Sequence, residues 1–234
     1  MIGVYDYTVI LTYLSLLSAC AGMIVSMSGM GHPYYGMFFM LFSGLCDAFD
    51  GRVARTKKNR SRMEQDFGVQ IDSFSDLIAF GILPASIGVS LLRVSEKYSD
   101  VPRRLAESGK VLWYPAVLVG IALFYVLAAM IRLAYFNVTV EDRKRELAET
   151  GREYFTGMPV TTAALVFPLV LVLHYFLRFD LSIIYFVVML AMAFLFVGNF
   201  KVPKPGKKTL GVLVAVGLVE LVMFVVIKIL AAHR

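Results

Sequence analysis

Long apolar runs follow one another along the whole chain, separated by short polar and basic segments. A helix needs about 20 mostly apolar residues to cross the hydrocarbon core of a bilayer. On that basis seven membrane-spanning helices are predicted, at about residues 8–29, 34–55, 68–93, 112–137, 158–177, 181–198 and 209–231. Pro84 lies inside the third span and is expected to kink it. The pattern therefore predicts an all-α polytopic membrane protein.

The composition supports that class, because 59% of the residues are hydrophobic and only 17% are charged. A soluble domain of this length would need more charge to cover its surface. The net charge of +6 is interpreted as basic cytosolic loops and contact with anionic lipid, not as nucleic-acid binding. The N-terminus has no basic leader, so no cleavable signal peptide is expected. Cys20 and Cys46 fall in apolar spans and are expected to be buried small hydrophobes.

Basic segments orient the predicted spans. Residues 57–62, 143–152 and 201–208 follow the second, fourth and sixth spans and are rich in Lys and Arg. The positive-inside rule makes all three segments cytosolic, with the N-terminus on the same side and the C-terminus outside. The connection at 93–110 is also basic and would lie outside, contrary to the rule. Three segments outweigh one, and we predict an integral cell-membrane protein in that orientation.

Four aspartates stand at the predicted cytosolic ends of two spans. Asp47 and Asp50 come near the end of the second span, and Asp72 and Asp76 near the start of the third. Residues three or four apart share one face of a helix. With a rise of ~1.5 Å per residue, antiparallel packing places Asp50 level with Asp72, and Asp47 level with Asp76. Four carboxylates are therefore predicted to face one cavity.

Such a cluster is unfavourable unless cations bind to it. Each acid at the centre of a span costs ~2.5–3.5 kcal/mol of insertion free energy, and like charges repel. Oxygen ligands favour hard ions such as Mg²⁺ or Mn²⁺, and two ions about 4 Å apart suit displacement at phosphorus. The small residues Gly51, Ala54 and Gly68 on the same faces would let a phosphate approach the backbone, and Arg55 would pair with it. A metal-bound diphosphate site is predicted.

The same residues carry a family resemblance. The pattern Asp47-x-x-Asp50-Gly51-x-x-Ala54-Arg55, followed by Gly68-x-x-x-Asp72-x-x-x-Asp76, resembles the signature of the CDP-alcohol phosphotransferases. These enzymes move a phosphatidyl or related group from a CDP-linked lipid to an alcohol and release CMP. Twelve residues separate Arg55 from Gly68, more than in the common form, and a longer cytosolic loop is expected. The resemblance implies a single domain over 1–234, with a six-helix core at about 1–200, an appended helix at about 209–231, and a homodimer.

The resemblance also implies roles for the site residues. Asp47, Asp50 and Asp72 would hold two divalent cations that bind the diphosphate, and Asp76 would be the general base and an additional metal contact. The spacing alone does not separate Asp76 from Asp47, since both are deep. The CDP-lipid would contact a further set of residues, namely Gly51, Ala54, Arg55, Gly68, Thr12 and Ser15. Ser15 stands where related enzymes often have Asn.

Within the family the chain is most similar to members that use serine as the acceptor. The similarity lies in residues 43–47, 71–76, 132–137 and 157–161. It implies CDP-diacylglycerol and L-serine as substrates, and phosphatidylserine and CMP as products. Arg132 is proposed to bind the serine carboxylate, with Asn137 nearby. The alternative is that Arg132 extends to the cytosolic interface or pairs with an aspartate.

Two other functions remain open. Glycerol phosphate or inositol phosphate as the acceptor would call for two or more basic residues deep in the third to fifth spans, where only Arg132 clearly lies. A cation transporter would use the acids as its ion path. That function leaves the arrangement of Gly51, Ala54 and Arg55 unexplained.

Overall fold

A computed structural model describes residues 2–29, 32–33, 35–94, 113–150, 154–177, 182–203 and 207–232. The described helices are α1 (Ile10–Met27), α2 (Tyr35–Ala54), α3 (Arg62–Asp76), a π-helical segment (Leu77–Ile82), α4 (Leu83–Val94), α5 (Trp113–Val138), α6 (Val140–Thr150), a 3₁₀ turn (Val160–Thr162), α7 (Ala163–Leu177), α8 (Ser182–Val197) and α9 (Lys207–Ala232). Two short strands are β1 (Tyr154–Thr156) and β2 (Lys201–Pro203). Every predicted span coincides with a helix in the described residues, and this confirms the all-α membrane class.

Among the described residues, three helical stretches are suited by length and composition to cross a membrane: Ile10–Met27, the continuous stretch Arg62–Val94, and Pro115–Val138. Three further apolar helical stretches are shorter, at Val160–Leu173, Ser182–Val197 and Gly211–Met223.

Small and hydroxylated residues allow α1 and α2 to pack closely. The Ser15 and Ser43 hydroxyls each donate to the other residue's backbone carbonyl, at 3.4 and 2.9 Å. The Ser18 hydroxyl donates to the Phe39 carbonyl at 2.9 Å. A Cβ on Gly22 would lie 2.8 Å from the Phe39 Cβ, so only glycine allows this approach. These contacts fix the face of α2 that carries Asp47 and Asp50.

The kink expected at Pro84 stays a prediction, but a π-helical segment, Leu77–Ile82, lies just before this proline. Proline has no N–H, so the Phe80 carbonyl lacks the partner that residue 84 would supply in an α-helix. The Tyr125 hydroxyl donates to that carbonyl at 2.6 Å, and the Tyr185 hydroxyl donates to the Pro84 carbonyl at 2.9 Å. Both tyrosines are fully buried and pack against Phe167 in the aromatic core. The core thus holds the deep part of the third span in place.

The third span starts earlier than predicted. α3 begins at Arg62, not near residue 68, and Ser61 is its N-cap. Ser61 and Glu64 form a capping box, in which the Glu64 N–H donates to the Ser61 hydroxyl and the Ser61 N–H donates to the Glu64 carboxylate. The prediction of a longer loop was therefore wrong, since residues 62–67 form the first turns of α3. Residues 62–67 are polar, but the S-x-x-E pattern of Ser61 and Glu64 is a helix-start signal, and it sets the start of α3.

Lys57 ties the N-terminal segment to the α2–α3 connection. Its ammonium nitrogen lies 2.7 Å from the Asp6 carboxylate and 2.7 Å from the Glu64 carboxylate. The hydrogen bond from Lys57, supported by those from Thr8, lowers the pKa of Asp6 to about 2. The N-terminal segment and this connection therefore share one end of the bundle, as predicted.

The segments after the fourth and sixth predicted spans also meet. β1 and β2 pair antiparallel, with Phe155 opposite Val202, and Lys201 forms an ion pair with Glu146 of α6. These two segments therefore lie on one side of the bundle, as their predicted orientation requires.

Arg93 has a local structural role at the opposite end of the bundle. Its guanidinium donates to the Ser26 and Met27 carbonyls at the end of α1, both at 2.8 Å. A cation there stabilises the C-terminus of that helix. This explains one of the basic residues in the 93–110 connection, which is contrary to the positive-inside rule. The remainder of the connection, at 95–112, lies outside the described residues.

Candidate active site

Three carboxylates converge where α2 and α3 pack together. One oxygen from each of Asp47, Asp50 and Asp72 lies within 4.8 Å of the other two. Asp50 is buried, and the other two are half-buried. Oxygen ligands in this number and spacing fit a hard divalent cation. The three acids predicted to be the principal metal ligands are thus brought together.

Asp76 lies one turn deeper on α3 than Asp72 and is buried, with 8% of its surface exposed. Its carboxyl group is within hydrogen-bonding range of Asp47, and that of Asp72 is within range of Asp50. This is the level pairing that antiparallel packing predicts. Asp76 therefore lies beside the three converging carboxylates and can contact a group bound to them.

Thr12 of α1 forms a hydrogen bond with one acid of the cluster. Its hydroxyl donates to the Asp50 carboxylate at 3.1 Å, and the Ser75 hydroxyl donates to the Thr12 backbone carbonyl at 3.2 Å. Thr12, Asp50 and Ser75 are all buried. Partners of this kind orient metal ligands and keep their lone pairs directed at the ion. The hydroxyls of Thr12 and Ser15, both predicted to contact the CDP-lipid, are engaged within the protein.

Arg55 and Gly51 form a surface next to the acids. The three atoms nearest to a Cβ on Gly51 would all belong to the Arg55 guanidinium, the first at 3.6 Å, so the guanidinium lies over the glycine. Arg55 is exposed, and no hydrogen bond or ion pair holds it within the described part of the chain. Ala54, next to it, is half-buried. The planar guanidinium is thus available to bind a phosphate bidentately.

Arg60 is a second cation at the site, although the sequence indicates only a topological role for it. A Cβ on Gly68 would lie 2.8 Å from an Arg60 amino nitrogen, so the guanidinium packs against this glycine. That nitrogen donates to the Glu64 carbonyl at 3.0 Å, while the buried Arg60 Nε has no partner among the described residues. Gly68 is one helical turn before Asp72. The sequence signal for this position is the capping box of Ser61 and Glu64. It starts α3 at Arg62 and so brings Arg60, just before the N-cap, close to the first turns of that helix.

Asn137 contacts α3, whereas Arg132 contacts the segment that precedes α7. Arg132 is 5% exposed and donates from Nε to the Met158 carbonyl at 3.2 Å. Arg132 makes no ion pair with an acid among the described residues, so pairing with an aspartate is not seen there. Because the side chain is buried, extension to the cytosolic interface is not seen either. The Asn137 amide donates to the Ser73 hydroxyl at 2.8 Å, next to Asp72 along the chain.

A further arginine shares an aromatic ring with Arg132. The guanidinium carbons of Arg132 and Arg143 lie 5.5 and 3.8 Å from the centre of the Phe136 ring. Arg143 also donates to the Phe136 carbonyl at 2.8 Å. The sequence placed Arg143 only in a basic loop, so this second cation close to Arg132 was missed.

Comparison with known proteins gives consistent matches. A CDP-diacylglycerol–serine O-phosphatidyltransferase of Saccharomyces cerevisiae is 31% identical over 163 residues, which are 66% of this chain and 50% of the yeast protein. Proteins of the same name from Mycobacterium bovis and Bacillus subtilis are 30% identical over 152 residues and 26% identical over 147 residues. Those alignments cover 64% of this chain and 44% of the mycobacterial protein, and 62% of this chain and 64% of the Bacillus protein. The chain thus spans about half the length of the first two relatives.

A sequence model described as CDP-alcohol phosphatidyltransferase matches residues 8–232. The match includes all four aspartates, the Arg55 and Gly51 surface, and helix α9. Since it covers nearly the whole chain, the protein belongs to the CDP-alcohol phosphatidyltransferase family.

Proposed function

We propose that the protein transfers the phosphatidyl group of CDP-diacylglycerol to the hydroxyl of L-serine, giving phosphatidylserine and CMP. The observation that carries the proposal is the convergence of Asp47, Asp50 and Asp72 within 4.8 Å. Arg55 is exposed beside them and has no hydrogen bond or ion pair among the described residues. This site suits a diphosphate bound through metal ions. The relatives named for the serine reaction support the choice of donor and acceptor.

The donor set fits divalent cations, and we propose two, Mg²⁺ or Mn²⁺. Asp47, Asp50 and Asp72 would hold them, with Asp76 as an additional contact. Such ions, when bound, neutralise phosphate charge and stabilise the departing CMP.

The chain's own residues then have separate tasks. Arg55, with Gly51 beneath it, binds the diphosphate. Asp76, buried beside Asp47, accepts the proton of the serine hydroxyl. The serine oxygen forms a bond to the lipid-side phosphorus while the bond from that phosphorus to the CMP oxygen breaks. Arg132, whose guanidinium donates to the Met158 carbonyl through Nε, is proposed to bind the serine carboxylate through its amino nitrogens, with Asn137 alongside.

We propose further that the active site faces the cytosol and that the protein is a homodimer in the bilayer. The basic segments gathered at the aspartate end support the orientation, because serine and CMP are water-soluble and the positive-inside rule places that end in the cytosol. The family resemblance supports the dimer. Labelling of the Lys58→Cys variant with a membrane-impermeant thiol reagent tests the orientation, since Lys58 is exposed at this end.

The decisive assay is CMP release from CDP-diacylglycerol by purified protein. Serine, glycerol 3-phosphate and inositol phosphate are compared as acceptors at equal concentration. We expect serine to give the largest stimulation. The pair Arg132 and Arg143 around Phe136 favours a phosphorylated acceptor as the second candidate, because a phosphate would engage two cations. Stimulation by such an acceptor, with none by serine, rejects the serine assignment.

The role of Asp76 has its own test. Asp76→Asn keeps the shape of the side chain but removes the proton acceptor, so we expect turnover to be abolished while metal-dependent binding of CDP-diacylglycerol largely survives. Asp66→Asn is the matched control, since Asp66 lies on the same helix and its side chain is 74% exposed. If Asp76→Asn removes binding as completely as turnover, the separate base role is rejected.

A further inference from the structure

The side chain of Arg60 covers a glycine on the face of α3 that carries two of the acids. Gly68, Asp72 and Asp76 are four residues apart and share that face. A Cβ on Gly68 would lie 2.8 Å from an amino nitrogen of Arg60, so the guanidinium packs directly on this glycine. Gly68 is about 6 Å from Asp72 along the helix axis, toward the α2–α3 connection. Arg60 therefore lies on the same face as the acids, at their polar end.

The hydrogen-bond donors of Arg60 are only partly used. One amino nitrogen donates to the Glu64 backbone carbonyl at 3.0 Å, which is a neutral acceptor. The buried Nε has no hydrogen-bond partner, and no carboxylate pairs with Arg60, in the part of the chain that the structure describes. A buried donor without a partner is unfavourable, so an oxygen of a bound ligand would stabilise this arrangement. Arg60 thus has the properties of an anion-binding residue.

The Glu64 carboxylate, four residues from Arg60, is engaged elsewhere. One of its oxygens accepts a hydrogen bond from the Lys57 ammonium and the other from the Ser61 N–H, both at 2.7 Å. Lys57 is also paired with Asp6 at 2.7 Å, so its own charge is compensated twice. The charge of Arg60 remains available, whereas that of Lys57 does not.

Arg60 and Arg55 have matching positions on the two helices of the site. The Arg55 guanidinium lies over Gly51 of α2, and the Arg60 guanidinium lies over Gly68 of α3. Both cations are at the end where α2 and α3 are connected, away from the apolar parts of these helices. The diacylglycerol of a CDP-linked lipid extends into the bilayer. The nucleotide half of a diphosphate bound at the acids therefore lies at the connection, on the side of Arg60.

We infer that Arg60 binds the nucleotide-side phosphate of the CDP-linked lipid, the phosphate that leaves as part of CMP. The inference rests on the proposed function, which supplies the diphosphate. A guanidinium presents several N–H donors in one plane and matches the oxygens of a phosphate. Arg60 lies among the twelve residues that separate Arg55 from Gly68, which are more than in the common form of the signature. The contact thus belongs to the part of the connection that distinguishes this chain.

The test uses CMP alone and measures binding, not turnover. CMP is titrated into purified protein in detergent at saturating Mn²⁺, and the heat of binding is recorded. Arg60→Gln should weaken CMP binding about 10-fold, the lower end of the range for a hydrogen bond to a charged group, because the Arg60 side chain is half-buried. The kcat/KM for CDP-diacylglycerol should fall by at least this factor, because substrate and product share the contact. The KM for serine and the half-saturating Mn²⁺ concentration should not change.

UMP distinguishes a phosphate contact from a base contact. It carries the same phosphate on a different base, so Arg60→Gln should weaken the binding of UMP and CMP by the same factor. A larger loss for CMP than for UMP would place Arg60 at the cytosine and overturn the inference. A fall in kcat/KM for CDP-diacylglycerol with unchanged CMP binding would place it at the lipid-side phosphate and overturn the inference equally.

Arg62→Gln is the matched control, because it removes the same charge two residues away, where the side chain is 95% exposed and lies 3.8 Å from Asp66. It should leave CMP binding unchanged. Arg60→Lys keeps the charge and loses the planar group, so it should weaken CMP binding less than Arg60→Gln does. The lysine variant provides the test if the glutamine variant does not fold.

The remaining outcomes separate the inference from the proposed function. A loss of CMP binding at residue 60 but not at 62, with the Mn²⁺ requirement unchanged, supports the phosphate contact. Unchanged CMP binding in the Arg60 variants, an equal loss in Arg62→Gln, or a raised Mn²⁺ requirement overturns it and leaves the proposed function intact. Absence of CMP release by wild-type protein with CDP-diacylglycerol and serine overturns the proposed function, and the inference with it.

Discussion

The Thr12 hydroxyl can be removed with little change of shape. Thr12→Val replaces the hydroxyl with a methyl group and leaves the backbone carbonyl that accepts from Ser75 in place. The variant loses the 3.1 Å hydrogen bond to Asp50, a buried carboxylate in the converging cluster. We expect the carboxylate to become less well oriented and the metal ion to bind more weakly.

The size of the effect follows from the charge of the acceptor. A hydrogen bond to a charged group contributes about 1.5–3 kcal/mol, which corresponds to a change of roughly 10- to 150-fold in an equilibrium constant. Loss of an outer partner of a metal ligand typically weakens metal binding by about 10–100-fold. We therefore expect the half-saturating Mn²⁺ or Mg²⁺ concentration for CMP release to rise by about 10–100-fold. The rate at saturating metal should change far less, because the ligands and Asp76 remain.

The control is Ser18→Ala, which removes a hydroxyl of the same helix that donates to the Phe39 backbone carbonyl at 2.9 Å. Ser18 is about 9 Å along α1 from Thr12, so this variant should alter stability and leave the metal dependence unchanged. If Thr12→Val folds and keeps the wild-type metal dependence, the orienting role of Thr12 is refuted. An equal shift in both variants would show a general loosening of the α1–α2 packing.

Three further predictions test other contacts. Tyr125→Phe leaves the buried Phe80 carbonyl without its hydroxyl donor and should lower the free energy of unfolding by about 1–3 kcal/mol, measured by thermal or denaturant unfolding in detergent. The ion pair with Lys57 lowers the pKa of Asp6 to about 2, so this contact is complete above about pH 4 and is lost as the pH falls through 2. Pepsin cleavage of the N-terminal segment should therefore rise as the pH falls from 4 to 2 in the wild type. The Asp6→Asn variant lacks the ion pair and should be cleaved already at pH 4. Gly68→Ala should displace the Arg60 guanidinium, raise KM for the CDP-lipid, and add little to the effect of Arg60→Gln; additive effects would contradict the contact.

The sequence predicted the helices and the meeting of the acids because both follow from simple periodicities. The 20-residue apolar runs define the spans, and the spacing of Asp47 and Asp50 against Asp72 and Asp76 requires them to meet if their helices pack antiparallel. The energetic cost of acids in a membrane then points to a cation. None of these steps depends on side-chain detail.

Other features depend on contacts that helical spacing does not show. Hydropathy placed the start of the third span near residue 68, because residues 62–67 are polar, although Ser61 and Glu64 form a capping box that starts the helix at Arg62. The position of Arg60 against Gly68 follows from that earlier start. The π-helical segment before Pro84 was not predicted from the sequence, which indicated only a kink at the proline; the Phe80 carbonyl in that segment accepts a hydrogen bond from a distant hydroxyl of α5.

The structure changes what the acidic signature means for this chain. The signature consists of four aspartates on two helices. A third helix, α1, has no acidic residue, but Thr12 of α1 contacts both of the helices that carry the aspartates. The Thr12 hydroxyl holds Asp50 of α2, while its carbonyl holds Ser75, the residue before Asp76 on the third span. The proposed metal ligand and the proposed base are therefore joined through one residue of α1. A change at Thr12 that moves the backbone should disturb both, whereas one that removes only the hydroxyl should weaken metal binding and spare proton transfer.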